Sequence, residues 1–224
     1  MLDKQVWIII PAHNEEKNIN KVIKDLKEFT SNILVVNDGS TDKTSEVCKV
    51  NEVYVIDHLV NRGQGAALQT GNAKALELGA EIIVHFDADG QHRVQDIEKI
   101  IEPLLKEQVD LVFGSRFLEN KSKVPWFKKY FILKPASFFN WLFTGLKLSD
   151  AHNGFRAMNK KAAEKIKIEQ DGMAHATEIM DQVRQYDLRY QEIPVKIIYQ
   201  EFGQGFFGGL KIIEDLFLSK IIKK

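Results

Sequence analysis

The segment Val84-His85-Phe86-Asp87-Ala88-Asp89-Gly90-Gln91-His92 joins a buried apolar run to an acidic turn, and the rest of the chain is interpreted from it. Asp87 and Asp89 are two residues apart, so their side chains share a face if the backbone is extended. The turn at Gly90 can bring Gln91 or His92 to the same point. Two carboxylates beside an amide oxygen suit Mg²⁺ or Mn²⁺ bound with phosphate oxygens. Taken alone, such a short pattern more often marks two solvated aspartates.

Composition indicates an ordinary globular protein with one domain. The chain has 224 residues, of which 44% are apolar and 28% charged, enough for one sizeable core. Lys plus Arg equals Asp plus Glu at 31 each, so we expect no nucleic-acid partner. The single cysteine, Cys48, suits a reducing compartment. No signal peptide and no apolar run of about 18 residues is found, which predicts a cytoplasmic protein.

Apolar runs and amphipathic segments alternate along the chain. The predicted strands cover residues 6–10, 33–36, 53–56, 82–84, 110–114 and 192–199. The predicted helices cover residues 14–29 (with Asn14 as N-cap), 44–51, 61–78, 94–106, 160–167 and a segment from about 176. This alternation predicts an α/β fold, a Rossmann-like doubly wound, mostly parallel sheet with helices on both faces. Ligands are then expected at the carboxyl ends of the strands.

The polar loops lie at those carboxyl ends. Glycines at Gly63 and Gly65 let backbone amides approach a ligand, and the helix that follows favours an anion at its N-terminus. A helix-start turn without a ligand explains the same residues equally well. The shared location of the loops is the stronger argument, because it predicts one site.

Two segments of the second half suit a membrane surface. Residues 124–147 mix aromatic side chains with lysines, which is typical either of a core helix or of an interfacial segment. Residues 210–222 form an amphipathic helical pattern that ends in Lys223 and Lys224. That helix can cap the domain, contact a partner subunit or lie on a membrane, and its sequence does not choose among these.

Motifs in a fixed order give the chain a family resemblance. They are Ile10–Glu16, Val36–Asp42, Asn61–Gly65, Asp87–His92 and Gly114–Arg116. Together they resemble family 2 glycosyltransferases with the GT-A fold. Ser149–Asp150, Asn153–Arg156 and Glu178 are similar to the dolichyl- and polyprenyl-phosphate sugar synthase branch. The resemblance implies one GT-A catalytic domain over residues 1–205, with a nucleotide-sugar half to about 116, an acceptor half over 117–205 and an amphipathic C-terminal segment over 206–224.

The resemblance also implies a metal-dependent inverting transfer of a sugar from a UDP- or GDP-sugar donor to a polyprenyl or dolichyl phosphate. The implied donor nucleotide contacts are Pro11, Ala12, Asn14, Glu15, Asp38, Arg62, Gly65, Asp87 and Ala88. The implied ligands of Mg²⁺ or Mn²⁺ are Asp87, Asp89 and Gln91. The implied catalytic residues are Asp89, Arg116, Asp150, Arg156 and Glu178. Among them, Arg116 and Arg156 would offer forked donors to the acceptor phosphate, and Asp38 would bind the base.

Other functions stay open at this point. A transferase acting on a sugar hydroxyl would need a base, for which Asp150 or Glu178 is a candidate. A nucleotidyltransferase or a nucleotide-sugar-binding module is a further alternative, which Pro11–Glu15 disfavours because that loop lacks a basic, glycine-rich pattern. The expected membrane contact is peripheral, at the inner face, through residues 124–147, residues 210–224 or a small membrane partner protein; homo-oligomer formation is left open. Lysines 128, 129 and 134 and residues 199–200 stand where the branch often has arginines.

Overall fold

The computed structural model describes residues 5–118 and 145–198, apart from residues 147 and 152. These residues form one sheet with helices on both faces. The strands are β1 (Val6–Ala12), β2 (Ile33–Asp38), β3 (Tyr54–His58), β4 (Ile82–His85), β5 (Leu111–Ser115), β6 (Arg156–Asn159) and β7 (Tyr190–Pro194). The helices are α1 (Ile19–Lys27), α2 (Thr44–Val50), α3 (Gln64–Glu77), α4 (Ile97–Leu105), α5 (Lys160–Lys165) and α6 (His175–Gln185). Most of the aromatic segment and the whole C-terminal segment of the sequence prediction lie outside the described residues.

The strand order is β3-β2-β1-β4-β6-β5-β7, and the sheet is mostly parallel. β1 pairs parallel with β2 and β4, β2 with β3, and β5 with β7. Strand β6 is antiparallel to both of its neighbours, β4 and β5. The predicted α/β class is therefore confirmed.

The apolar runs of the strands are continuous because both faces of the sheet are covered. Along β1, Ile8 and Ile10 face a core formed with α1, α2 and α4. The alternate residues Trp7 and Ile9 face a second core formed with α3, α5 and α6. Two packed layers of helices thus hold the sheet rigid, and its loops emerge at the two ends.

Three local predictions need correction. Asn14 is not the N-cap of the first helix: it has a left-handed backbone with φ of 56°, α1 begins only at Ile19, and the Asn14 Oδ1 atom accepts from the Thr41 amide. Strand β6 was not predicted, because four residues are too few to show a period. The last strand is predicted over residues 192–199 but covers Tyr190–Pro194. It begins earlier because it pairs with the whole of β5, from Leu111 opposite Tyr190 to Ser115 opposite Pro194.

Among the helices of the described residues, none combines the length and the apolar character needed to cross a bilayer.

Candidate active site

The site lies at the carboxyl ends of β1, β2 and β4, where the acidic turn after β4 is its central feature. Asp87 is held there from both sides of the sheet. Its Oδ1 atom accepts from Gln64 Nε2 of α3 at 3.0 Å, and its Oδ2 atom lies 2.8 Å from His92 Nε2. Because a carboxylate only accepts, the Nε2 atom of His92 carries the proton. Asp87 is therefore fixed by two donors before any ligand binds.

Gly154 closes a third side of Asp87. A β-carbon placed on Gly154 would meet both carboxylate oxygens of Asp87, with Oδ1 at 2.6 Å. Burial acts to raise the pKa of Asp87, but the hydrogen bond and charge of His92, with Arg156 and His175, bring the pKa below its ordinary value. Asp87 is thus a fixed anion.

Asp89 and Glu15 complete a group of three carboxylates. Burial raises the pKa of Asp89, and the charge of Asp87 raises it further, although the Gln91 amide donates to Asp89 Oδ1 at 2.9 Å. The pKa of Glu15 is also raised, chiefly by burial, with contributions from Asp89, Asp42 and Asp87. The structure therefore brings Glu15, which follows β1, close to the acidic turn that follows β4. These carboxylates repel one another.

A divalent cation fits this group. Within the described residues no three His, Cys, Asp or Glu side chains form a ready-made metal cage. Magnesium on nucleotides needs only one or two protein carboxylates, because water and phosphate oxygens supply the other ligands. Half-buried Asp89, with a raised pKa beside Asp87, offers the negative charge that such an ion would neutralise.

Asp38, at the end of β2, is buried and has three donors of its own. Its Oδ1 atom accepts from the Arg62 amide at 3.0 Å and from His58 Nδ1 at 2.7 Å. Its Oδ2 atom accepts from the Gly63 amide at 2.6 Å. Asp38 thereby ties the loop before α3 to the end of β2.

The start of α3 contacts the protein itself. The Gly65 amide donates to the Asp171 carbonyl oxygen at 2.8 Å, and a β-carbon on Gly65 would clash with the Gln170 carbonyl oxygen. The close approach predicted for a ligand is made here by the loop before α6. Arg62 is exposed, and its Nη2 atom lies 3.4 Å from Asp171 Oδ1.

The predicted cations of the acceptor half have different surroundings. Arg116 follows β5 and makes a bidentate pair with Asp150, with Nε to Oδ2 and Nη2 to Oδ1 both at 2.6 Å. Arg156 begins β6 and is only 1% exposed. Its contacts are long ones to the carbonyl oxygens of Asn153 and Gly154, at 3.3 and 3.4 Å. Burial lowers the pKa of Arg156 to about 10, against the opposing charge of Asp87.

The remaining predicted residues are placed as follows. Glu178 Oε2 accepts from the amides of Glu169 and Gln170 at 3.0 and 2.9 Å, so it orders the loop that contacts α3. Pro11 and Ala12 end β1, and Ala88 is buried between the two aspartates. The structure thus brings Pro11, Ala12, Glu15, Asp87, Ala88, Asp89 and Gln91 to one edge. Glu178 contacts a neighbouring loop instead.

Several contacts of the site were not found from the sequence. His92 and His58 fix Asp87 and Asp38, Gln64 reaches Asp87 from α3, and Gly154 makes room for that carboxylate. The turn at Gly90 predicts that His92 can reach the acidic motif, and its ring does reach Asp87; that it holds Asp87 as a hydrogen-bond donor is seen only in the structure. The role of Gly154 could have been predicted in part, because a glycine within a motif often marks a place where another group comes close to the backbone.

The fold and the acidic edge together define a glycosyltransferase of GT-A architecture. The family model described as "Glycosyl transferase family 2" matches residues 7–167, and the chain belongs to that family. The resemblance inferred from the motifs, including the dolichyl- and polyprenyl-phosphate sugar synthase branch, is confirmed.

Named relatives agree with this branch. The chain is 35% identical over 249 residues to the UDP-N-acetylglucosamine--dolichyl-phosphate N-acetylglucosaminyltransferase of Methanococcus voltae, covering 100% of this chain and 99% of the relative. It is 27% identical over 216 residues to the undecaprenyl-phosphate mannosyltransferase of Micrococcus luteus, covering 92% and 88%.

A solved structure has the same fold. Glucosyl-3-phosphoglycerate synthase from Mycobacterium tuberculosis, in complex with Mn²⁺, uridine-diphosphate and glucosyl-3-phosphoglycerate, superposes with a TM-score of 0.71 at 16% identity. The match covers 95% of this chain and 78% of that structure.

Proposed function

We propose that this protein transfers a sugar from a nucleoside diphosphate sugar to a polyprenyl or dolichyl phosphate, with inversion and with a divalent metal ion. The observation that carries the proposal is the meeting of Glu15, Asp87 and Asp89 at the carboxyl edge of the sheet. A bound cation would relieve the repulsion among these carboxylates, and it would also attract the diphosphate, which the carboxylates alone would repel. Relatives named as lipid-phosphate glycosyltransferases support the acceptor.

The donor half would bind the nucleotide along β1 and β2. Pro11, Ala12, Asn14 and Glu15 would line the ribose, Asp38 would bind the base, and Arg62 would add a contact. Asp89, with Asp87 and Gln91, would hold Mg²⁺ or Mn²⁺. When bound, the ion would neutralise the charge that develops on the departing nucleoside diphosphate.

Two contacts favour a phosphate acceptor over a sugar hydroxyl. A hydroxyl acceptor needs a base to remove its proton, whereas a phosphate is already an anion. The candidate base Asp150 is 3% exposed and is held by the bidentate fork of Arg116. The other candidate, Glu178, accepts two backbone amides. Both carboxylates are thus already occupied by donors of the protein, and neither is positioned to take a proton from an acceptor hydroxyl.

In the reaction, a phosphate oxygen of the lipid would form a bond to the anomeric carbon as the bond to the diphosphate oxygen breaks. Arg116 would stand beside the acceptor at the end of β5, with its direction fixed by Asp150. We propose for buried Arg156 a role behind the site instead of a forked contact with the lipid, because its charge and that of Asp87 stabilise each other. The peripheral position at the inner membrane face remains part of the proposal.

A transfer assay tests this function. The full-length protein is incubated with UDP- and GDP-sugars, Mn²⁺ and a short polyprenyl phosphate, with the matching polyprenol as the control acceptor. We expect sugar to appear on the phosphate, and none on the polyprenol or after metal chelation. Transfer to sugar hydroxyls, with none to the lipid phosphate, would establish the alternative acceptor.

A further inference from the structure

The carboxylate of Asp38 has little remaining capacity to accept hydrogen bonds. Its side chain is 5% exposed. A carboxylate has about four lone-pair positions, two on each oxygen. On Oδ1 both are used, by the Arg62 amide and by His58 Nδ1. On Oδ2 one is used, by the Gly63 amide. One position is left.

We propose that Asp38 accepts a single N–H of the donor's base, which selects uridine over guanosine, and that His58 is the residue that sets this selectivity. The inference rests on the proposed donor site, with the base at Asp38. Guanine presents two adjacent donors, N1–H and the 2-amino group, and a carboxylate binds them through one free position on each oxygen. Uracil presents one donor, N3–H. Only uracil matches an acceptor with one free position.

The position of Asp38 suits a base contact. Strand β2, which ends at Asp38, is separated by β1 from β4, which ends before the acidic turn. Strands in a sheet are about 4.8 Å apart, so the two strand ends are about 10 Å apart. A nucleotide can span that distance with its diphosphate at Asp89 and its base at Asp38.

His58 acts through Asp38 and is therefore a positioning residue. Its side chain is 10% exposed, in β3 on the side of Asp38 that faces the sheet edge. Its Nε2 atom lies 3.0 Å from Thr70 Oγ1 of α3. With Nε2 engaged by Thr70, the ring is held so that the Nδ1–H group points at Asp38. The other two donors are backbone amides, so His58 is the side chain whose replacement changes the number of free lone pairs.

The variants His58→Leu and His58→Asn separate this role from packing. Leucine fills similar space without a donor, which frees a position on Oδ1, so that each carboxylate oxygen then has one. Asparagine can place an amide N–H near the former Nδ1 position and restore the third bond. A hydrogen bond to a charged group changes an equilibrium by about tenfold or more. Thr70→Val leaves His58 in place but removes its support, and we expect an intermediate effect.

The measurement is calorimetric titration of the full-length protein and each variant with UDP and with GDP, in the presence of Mn²⁺. We expect the unsubstituted protein to bind UDP at least about tenfold more tightly than GDP. In His58→Leu this preference should fall about tenfold, and in His58→Asn it should be kept. Thermal unfolding of each variant shows whether it is folded.

Each outcome has a distinct meaning. Equal or tighter binding of GDP by the unsubstituted protein overturns this inference and leaves the proposed transferase function standing. An unchanged preference in a folded His58→Leu variant overturns the role of His58. If that variant does not fold, Thr70→Val decides in its place, and an unchanged preference there counts against the role. Binding of neither diphosphate overturns the proposed function, and with it this inference.

Discussion

Asp87 shows how a single residue of the proposed site is held in place by its neighbours. Its carboxylate is fixed by Gln64 and His92 and enclosed by Gly154, so its position does not depend on the nucleotide. Preorganised groups of this kind spend no free energy on reorientation during the reaction. The same enclosure makes the site sensitive to one added methyl group.

Gly154→Ala tests that enclosure. A β-carbon there would meet both oxygens of Asp87, and Asp87 cannot rotate away without losing Gln64 or His92. Displacing a catalytic group by about 1 Å costs about 100-fold in rate, and overpacking costs about 1–3 kcal/mol of unfolding free energy. We expect both losses, measured by transfer rate and by denaturant unfolding. The matched control is Gly172→Ala, where a β-carbon has no neighbour within 4 Å; comparable losses in the control would contradict this explanation.

Asp89→Asn tests the proposed metal site. The amide keeps the size of the side chain and the acceptor for the Gln91 amide, but removes the charge that a cation needs. Changing even the outer-shell partners of metal ligands costs about 10–100-fold, so we expect at least that loss in metal-dependent turnover. The melting temperature should not fall, because the repulsion from Asp87 is also removed. Full activity in this variant would refute the assignment.

At the scale of single residues, the sequence predicts which ligand a group of side chains could bind better than it predicts which residues those side chains contact. The residue types of the acidic turn are enough to predict a cation. The partners of the charged residues could not be predicted: Arg116 pairs with Asp150 across 34 positions, and Arg156 is buried in the sheet. The burial of Arg156 follows from the pairing of β6 with β4 and β5, and the Arg116–Asp150 pair joins two loops that are distant in sequence, so both are tertiary properties.

The elements at the opposite end of the sheet are joined by one carboxylate. Asp110, just before β5, accepts from Arg189 before β7 and from Asn159 at the end of β6, and Lys161 of α5 lies 3.4 Å away. Burial acts to raise the pKa of Asp110, but the hydrogen bonds from Arg189 and Asn159 and the charge of Lys161 hold it well below its ordinary value. Three strands therefore share one anion.

Asp110→Asn should make the loss of stability depend on pH. A carboxyl group whose pKa is lowered by folding stabilises the protein above its unfolded pKa of about 3.9, and this contribution is lost as the pH falls toward the folded pKa. We expect the variant to be less stable by about 2 kcal/mol near neutral pH. Urea unfolding at a series of pH values should show this difference shrinking below about pH 4. A difference that is constant down to pH 3 would show that charge is not the cause.

Elements with a clear period were predicted, and those shaped by tertiary pairing were not. The continuous apolar runs of β1 and β2, the amphipathic pattern of α4 and the glycine-rich start of α3 locate these elements within a few residues. Strand β6 is four residues long and is a strand only because it fills the gap between β4 and β5. The start of α1 was placed too early because Asn14 looks like a cap, while its side chain in fact binds the neighbouring loop.

In the whole molecule, the antiparallel strand β6 separates the strands of the proposed donor side from the two remaining strands. The parallel strands β3, β2, β1 and β4 carry the proposed donor side, and β5 and β7 lie beyond the antiparallel strand. Gly154 and Arg156, at the start of β6, reach Asp87 at the end of β4. The two halves of the sequence therefore meet at the acidic turn.

Access to a lipid acceptor is a property of the whole molecule. The segments that the sequence predicts to contact a membrane lie mostly outside the described residues. The amphipathic pattern of residues 210–222, with its basic end, suits an interfacial helix on an anionic surface. Removing residues 210–224 should weaken sedimentation with vesicles that contain anionic lipid, and should leave turnover of a short, water-soluble acceptor phosphate unchanged. The matched control replaces Lys223 and Lys224 by glutamine, which should reduce binding only through charge and only at low salt. Unchanged sedimentation of the truncated protein would assign the segment to the domain itself, and a loss of turnover on the soluble acceptor would show that it supports the catalytic fold.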